Sequence, residues 1–86
     1  MPNSQQETVI RDLLTEAIMN ALGRSDVPII NDDTHLLQTG IDSLGFAVLV
    51  ARLEERLGYD PFSMSDEAYY PRTFRDLVSF YERYAA

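Results

Sequence analysis

The chain has 86 residues, 45% of them hydrophobic, with 14 acidic against 7 basic side chains and a formal net charge of −7. That length suits one small domain, residues 1–86, and the lack of cysteine leaves neither a disulfide framework nor a thiolate metal site, so the fold must hold by packing. The charge excludes a phosphate-binding surface for DNA or RNA, since such affinity comes from Lys and Arg neutralising the backbone, and favours basic surfaces on other proteins.

All the basic residues are arginine, so the chain offers no lysine amine and no cysteine thiol with which to hold a substrate covalently. Any thiol chemistry has to be imported. The amino terminus shows no basic region followed by an apolar run, which argues against a secretory signal, and the longest apolar run, 46–51, is far too short to span a bilayer. A soluble cytoplasmic protein is the expectation.

Ser4 and Glu7 have the spacing of a capping box, and the helix they open carries a stripe at Ile10, Leu13, Leu14, Ala17, Ile18, Ala21 and Leu22, with Gly23 as its stop. The stretch 24–39 contains Pro28 and the Asn31-Asp32-Asp33 cluster and reads as a long loop, with Leu36 and Leu37 pinning it to the core. A helix over 43–57 follows. Phe46, Leu49, Val50, Leu53 and Leu57 fall on one arc of it, and Leu44, Ala47, Val48 and Ala51 on the opposite one. Either both sides are covered, or the second stripe meets partners; its small and medium residues, starting beside Ser43, favour partners.

Gly58 ends that helix and Pro61 delays another, so a single helical turn is expected within 65–70. Thr73 caps a last helix with Asp76 at its third position, and Phe74, Leu77, Val78, Tyr81 and Tyr84 form its inward stripe. No alternating strand pattern occurs. The sum is an all-α bundle of three main helices plus one short one.

Candidate chemistry narrows quickly. The acidic pairs Asp32-Asp33, Glu54-Glu55 and Asp66-Glu67 lack the alternating oxygen ligands of a calcium loop and read as solvated surface charge, so no metal site is expected. A serine hydrolase needs a base beside its nucleophile, but the one histidine, His35, lies in the loop, and the Gly-x-Ser-x-Gly elbow is absent around Ser43. The expectation is a protein that is not an enzyme.

What remains is Gly40-Ile41-Asp42-Ser43-Leu44, which places a serine between a sharp turn and a long apolar helix. On local chemistry alone Asp42 and Ser43 are helix caps. The motif in its setting, with Asp32-Asp33-Thr34-His35-Leu36-Leu37 before it, Arg52-Leu53-Glu54-Glu55-Arg56-Leu57-Gly58 after it and Thr73-Phe74-Arg75-Asp76-Leu77 beyond, resembles the acyl and peptidyl carrier protein family over nearly the whole chain. That resemblance implies that Ser43 carries a 4′-phosphopantetheine arm derived from coenzyme A, attached by a phosphopantetheinyl transferase. It implies acyl- or aminoacyl-activating and transferring enzymes as further partners, a monomeric working state, and a docking surface of Asp42, Leu44, Ala47, Val48, Ala51 and Glu55. Tyr69 and Tyr70 fall where the family borders bound cargo.

The sequence departs from fatty-acid carriers in one place. Gly45 and Val48 stand where acidic residues commonly occur early in that helix, which points to a specialised fatty-acid, polyketide or related pathway, and Gly45 should loosen the first turn. A peptidyl or aminoacyl carrier is the closest alternative, although Asp42 before the serine leans towards the acyl type. An unmodified helical adaptor using the Leu44, Val48 and Ala51 stripe is the reading from another class.

Overall fold

The computed structural model describes residues 4–23 and 29–85. Four helices occur among them: α1 (Gln5–Leu22), α2 (Ser43–Leu57), α3 (Pro61–Met64) and α4 (Phe74–Arg83), with a 3₁₀ turn at Leu36–Thr39. This is the expected bundle of three main helices and one short one. Helix α1 packs chiefly on α2 and less extensively on α4.

Apolar spacing explains the core. Ile10, Leu14 and Ile18 of α1 are fully buried against Leu49 and Leu53 of α2 and Phe74, Leu77, Val78 and Tyr81 of α4. Complete burial of each such side chain contributes about 1.5–3 kcal/mol. The outer end of the α1 stripe is not covered: Ala21 and Leu22 are exposed. On α2 the two arcs separate as physical faces, for Leu44, Ala47, Val48 and Ala51 are all exposed. Coverage on both sides of α2 is thereby ruled out among the described residues.

Four local expectations need correction. Ser4 Oγ accepts the Glu7 backbone N–H at 3.0 Å, but the other half of the box does not form. The Glu7 carboxylate is instead buried and takes hydrogen bonds from Arg75 at 2.7 Å and Arg11 at 3.4 Å. Leu37 does not pin the loop. It is 85% exposed, because the 3₁₀ period puts Leu36 and Thr39 on one inward side and turns Leu37 away; Ile30 and Ile41 join Leu36 as the buried anchors.

The short helix lies at 61–64 and not within 65–70. Pro61 begins it, since a first-turn proline loses no intrahelical hydrogen bond, and Asp60 caps it by accepting from the Phe62 N–H at 3.0 Å. Finally, Phe80 is buried where the α4 stripe omitted it. It meets Phe62 at 4.9 Å and Tyr69 at 4.4 Å between centroids, so the inward arc of α4 is wider than a single stripe. Tyr84 is only half-buried and Tyr70 is exposed.

The loop leading to α2 is stitched to α4. Leu36 N–H donates to Arg72 C=O, Phe74 N–H to Thr34 C=O and Arg75 N–H to Asp32 C=O, all at 2.9–3.1 Å, around an antiparallel bridge between His35 and Thr73. The Arg75 guanidinium adds ion pairs to Glu7 at 2.7 Å and Asp32 at 3.0 Å. Asp32 is therefore part of a cross-link and not simply solvated charge. Arg11 donates to the Ile30 carbonyl and lies 4.6 Å from the centre of the Phe74 ring.

Candidate functional site

The turn into α2 depends on Gly40. Its φ of 96° lies in the left-handed region, so the backbone angle requires glycine; a Cβ there would also press on the end of the Leu22 side chain, at 2.8 Å. Ile41 follows, 4% exposed, and drives the chain into the core. Asp42 then stands at the N-cap of α2: its Oδ1 accepts the Gly45 N–H at 2.7 Å while its carbonyl accepts the Phe46 N–H at 2.8 Å. The cap is thus Asp42 alone. Ser43 occupies the first helical position, and its hydroxyl is not needed to close the helix.

Gly45 has a packing role that its helix propensity does not suggest. A Cβ there would lie 2.8 Å from Ile41 Cγ1 and 3.2 Å from Asp42 Oδ1. The missing side chain leaves room for Ile41 beneath the first turn.

Ser43 is exposed, and among the described residues its Oγ makes no hydrogen bond. Other hydroxyls are committed: Thr39 donates to the Leu36 carbonyl at 2.6 Å, Ser63 to Asp60 at 2.9 Å and Ser65 to the Glu67 carbonyl at 2.9 Å. Ser79 is also exposed and unbonded, but it lies inside α4, where the backbone amides are already paired. At the start of α2 the Ser43 and Leu44 N–H groups have no carbonyl four residues back within the helix, and the positive end of the helix dipole is there. A phosphate ester on this oxygen would meet helix N–H groups without displacing an existing bond, so the residues fit such a group.

The expected docking residues Asp42, Leu44, Ala47, Val48, Ala51 and Glu55 are all exposed, with Leu44 at 73% and Val48 at 46%. Arg52, four residues after Val48, is exposed too and extends this face with a cation that the expected set omitted; its i+4 spacing was the available signal. His35 is exposed and set apart from Ser43 by the 3₁₀ turn, with no hydrogen bond to it among the described residues. Tyr69 packs on Phe80, with ring centroids 4.4 Å apart.

Tyr81 is the one side chain whose buried polar atom lacks a partner among the described residues. Burial, with Asp60, Tyr59 and Glu54 nearby, pushes its hydroxyl well above the usual phenol range, so it stays neutral.

Residues 12–79 match the family model described as the phosphopantetheine attachment site. No curated protein and no solved structure gives a match. The matched span runs from the middle of α1 into α4 and contains the whole Gly40–Gly45 turn. The chain belongs to the phosphopantetheine attachment site family, carrier proteins whose prosthetic group is covalent 4′-phosphopantetheine.

Proposed function

We propose that this chain is a single-domain acyl carrier protein in which Ser43 is the attachment residue. The observation that carries the reading is the uncommitted Ser43 hydroxyl at the amino end of α2, held outward by buried Ile41 and the Asp42 cap. In the attachment step the Ser43 oxygen attacks the pantetheine-side phosphorus of coenzyme A. A new O–P bond forms, the pyrophosphate bridge breaks, adenosine 3′,5′-bisphosphate leaves, and the hydroxyl proton passes to a base on the transferase. When bound, the group supplies a terminal thiol that takes an acyl chain as a thioester.

The chain's own residues then present and select; catalysis stays with the partner enzymes. Tethering at Ser43 gives the cargo a high effective concentration at each docked active site. The exposed Leu44, Ala47, Val48 and Ala51 face, with Asp42 and Glu55 on it, is the docking surface. Its apolar centre, where Val48 and Gly45 replace acids, suits partners with a complementary apolar patch more than the basic surfaces that fatty-acid carriers meet, which supports a dedicated fatty-acid, polyketide or related pathway.

The test is the intact mass of wild type and Ser43→Ala after incubation with coenzyme A, magnesium and a broad-specificity phosphopantetheinyl transferase. Wild type is expected to gain one phosphopantetheinyl group and the variant none, with unchanged stability because Asp42 supplies the cap. Loading of Ser43→Ala would eliminate Ser43 as the site. Failure of wild type to load, with the transferase active on a control carrier, would favour an unmodified helical adaptor.

A further inference from the structure

Beside the Ser43 turn, the seam between α1 and α2 is not closed among the described residues. A cleft of about 330 Å³ lies there, at the small end of the range for small-molecule sites. Ser43 does not line it, but both its neighbours, Asp42 and Leu44, do. The walls are Leu13, Ala17 and Ala21 from α1 and Leu44 and Val48 from α2, with the buried Leu49 among them. Two further polar side chains reach this lining, Asn20 from α1 and Arg52 from α2.

The other flank of α2 is filled. Phe46 meets Phe62 edge-on at 6.1 Å, and Phe62 in turn packs on Phe80 at 4.9 Å and Tyr81 at 6.2 Å. A group leaving Ser43 therefore meets packed aromatic rings on one side of the helix and an open cleft on the other. The cleft shares Leu13, Val48 and Arg52 with a more open groove that adds Ala51, Glu16, Glu55 and Arg56. Its charged side chains suit a polar occupant better than a long alkyl chain.

We infer that the α1–α2 cleft seats the pantetheine portion of the arm carried by Ser43. The inference rests on that attachment. Pantetheine combines a geminal dimethyl group with two amides, and the cleft offers both kinds of surface. Leu13, Ala17 and Val48 suit the methyl groups. The Asn20 side chain can donate and accept, and Arg52 can donate, which answers the need of partly buried amides for partners. An acyl chain would use neither polar group. Because the arm is tethered one residue from the cleft, even a weak site is occupied at the effective concentrations of an intramolecular ligand.

The experiment uses isotopically labelled full-length protein, loaded from coenzyme A by a broad-specificity transferase and verified by mass. In the loaded protein, nuclear Overhauser contacts are expected from the pantetheine methyls to Leu13 and Val48, with amide shift changes at Asn20 and Arg52 as large as those at Leu44. Ala21→Phe, at an exposed helix position, fills the cleft; it is expected to load fully yet lose those contacts. Asn20→Ala, also exposed, is expected to weaken them at least twofold. Full loading with shift changes confined to 42–46 and no contact to α1 would overturn the cleft while leaving the attachment intact, as would contacts that persist in loaded Ala21→Phe. No loading at all would remove the attachment and the cleft proposal together.

Discussion

Residues 29–36 lie in the connection between α1 and α2, and residues 40–45 form its end and the first turn of α2, yet the two stretches are held in opposite ways. The first stretch is tied to α4 by backbone hydrogen bonds from Leu36, Phe74 and Arg75 and by the Arg75 ion pairs with Glu7 and Asp32. The second has buried Ile41 beneath it, the Gly40 contact with Leu22 and the Asp42 cap, while Asp42, Ser43 and Leu44 face outward. The difference teaches how a small domain can hold a serine outward without tying down the residues around it. On the proposed reading the cross-links lie upstream of the docking face, and the turn that carries Ser43 is fixed from below so that its outer side stays clear.

The largest stability effect is expected from breaking the anchored half. Arg75→Ala leaves the buried Glu7 carboxylate with only the longer Arg11 contact. Because Arg75 is itself more than a third exposed, solvent screening limits the loss to about 1–2 kcal/mol. For a domain of this size that is a fall of roughly 10 °C in Tm, readable by calorimetry. An unchanged Tm would mean that the backbone bonds alone hold the loop.

Gly45→Ala sharpens the comparison at the presented half. Helix propensity favours alanine by up to about 1 kcal/mol, but the added Cβ would overlap Ile41, and overpacking costs about 1–3 kcal/mol. A net loss of about 1 kcal/mol in urea unfolding is expected. A more stable variant would show that Ile41 yields and that the turn is not braced from beneath. Asp42→Ala removes the acceptor of the Gly45 N–H and should cost about 1 kcal/mol or slightly less, with an unchanged m-value.

The smallest effect concerns acid. Backbone N–H groups of Thr73 and Arg72 hold the Asp76 carboxyl below the usual carboxylate range. A depressed folded-state value contributes stability that is present above the unfolded value, near about 4, and is lost as pH falls through the folded one. Asp76→Asn is therefore expected to flatten the pH dependence of stability below about pH 4. An identical acid slope in both proteins would show that the α4 capping box does not contribute to it.

Much of this was legible in the residues, for reasons that differ by element. The α1 and α2 stripes repeat with the helical period, and Thr73 with Asp76 forms a full capping box because both partners lie within one turn. The Ser4–Glu7 box failed because Arg75, 68 residues away from Glu7, offered its carboxylate a charged partner. No local pattern carries that information. Leu37 was misplaced because a 3₁₀ turn reverses the side that a loop leucine faces, and Pro61 because a proline that blocks a helix interior is welcome at its first turn.

At the site, the Gly40–Leu44 motif pointed to Ser43, and the second α2 stripe pointed to an exposed face. Ile41 under Gly45, and the cleft between α1 and α2, depend on how two helices approach and had no one-dimensional signature. Arg52 could have been found from its spacing to Val48 alone.

The most direct test of the central claim is fragmentation mass spectrometry of the loaded protein, reading which residue holds the phosphate. The account predicts a phosphopantetheinyl remnant on Ser43 and on no other hydroxyl. A remnant on Ser63, Ser65, Ser79 or a threonine, with Ser43 unmodified, would contradict it.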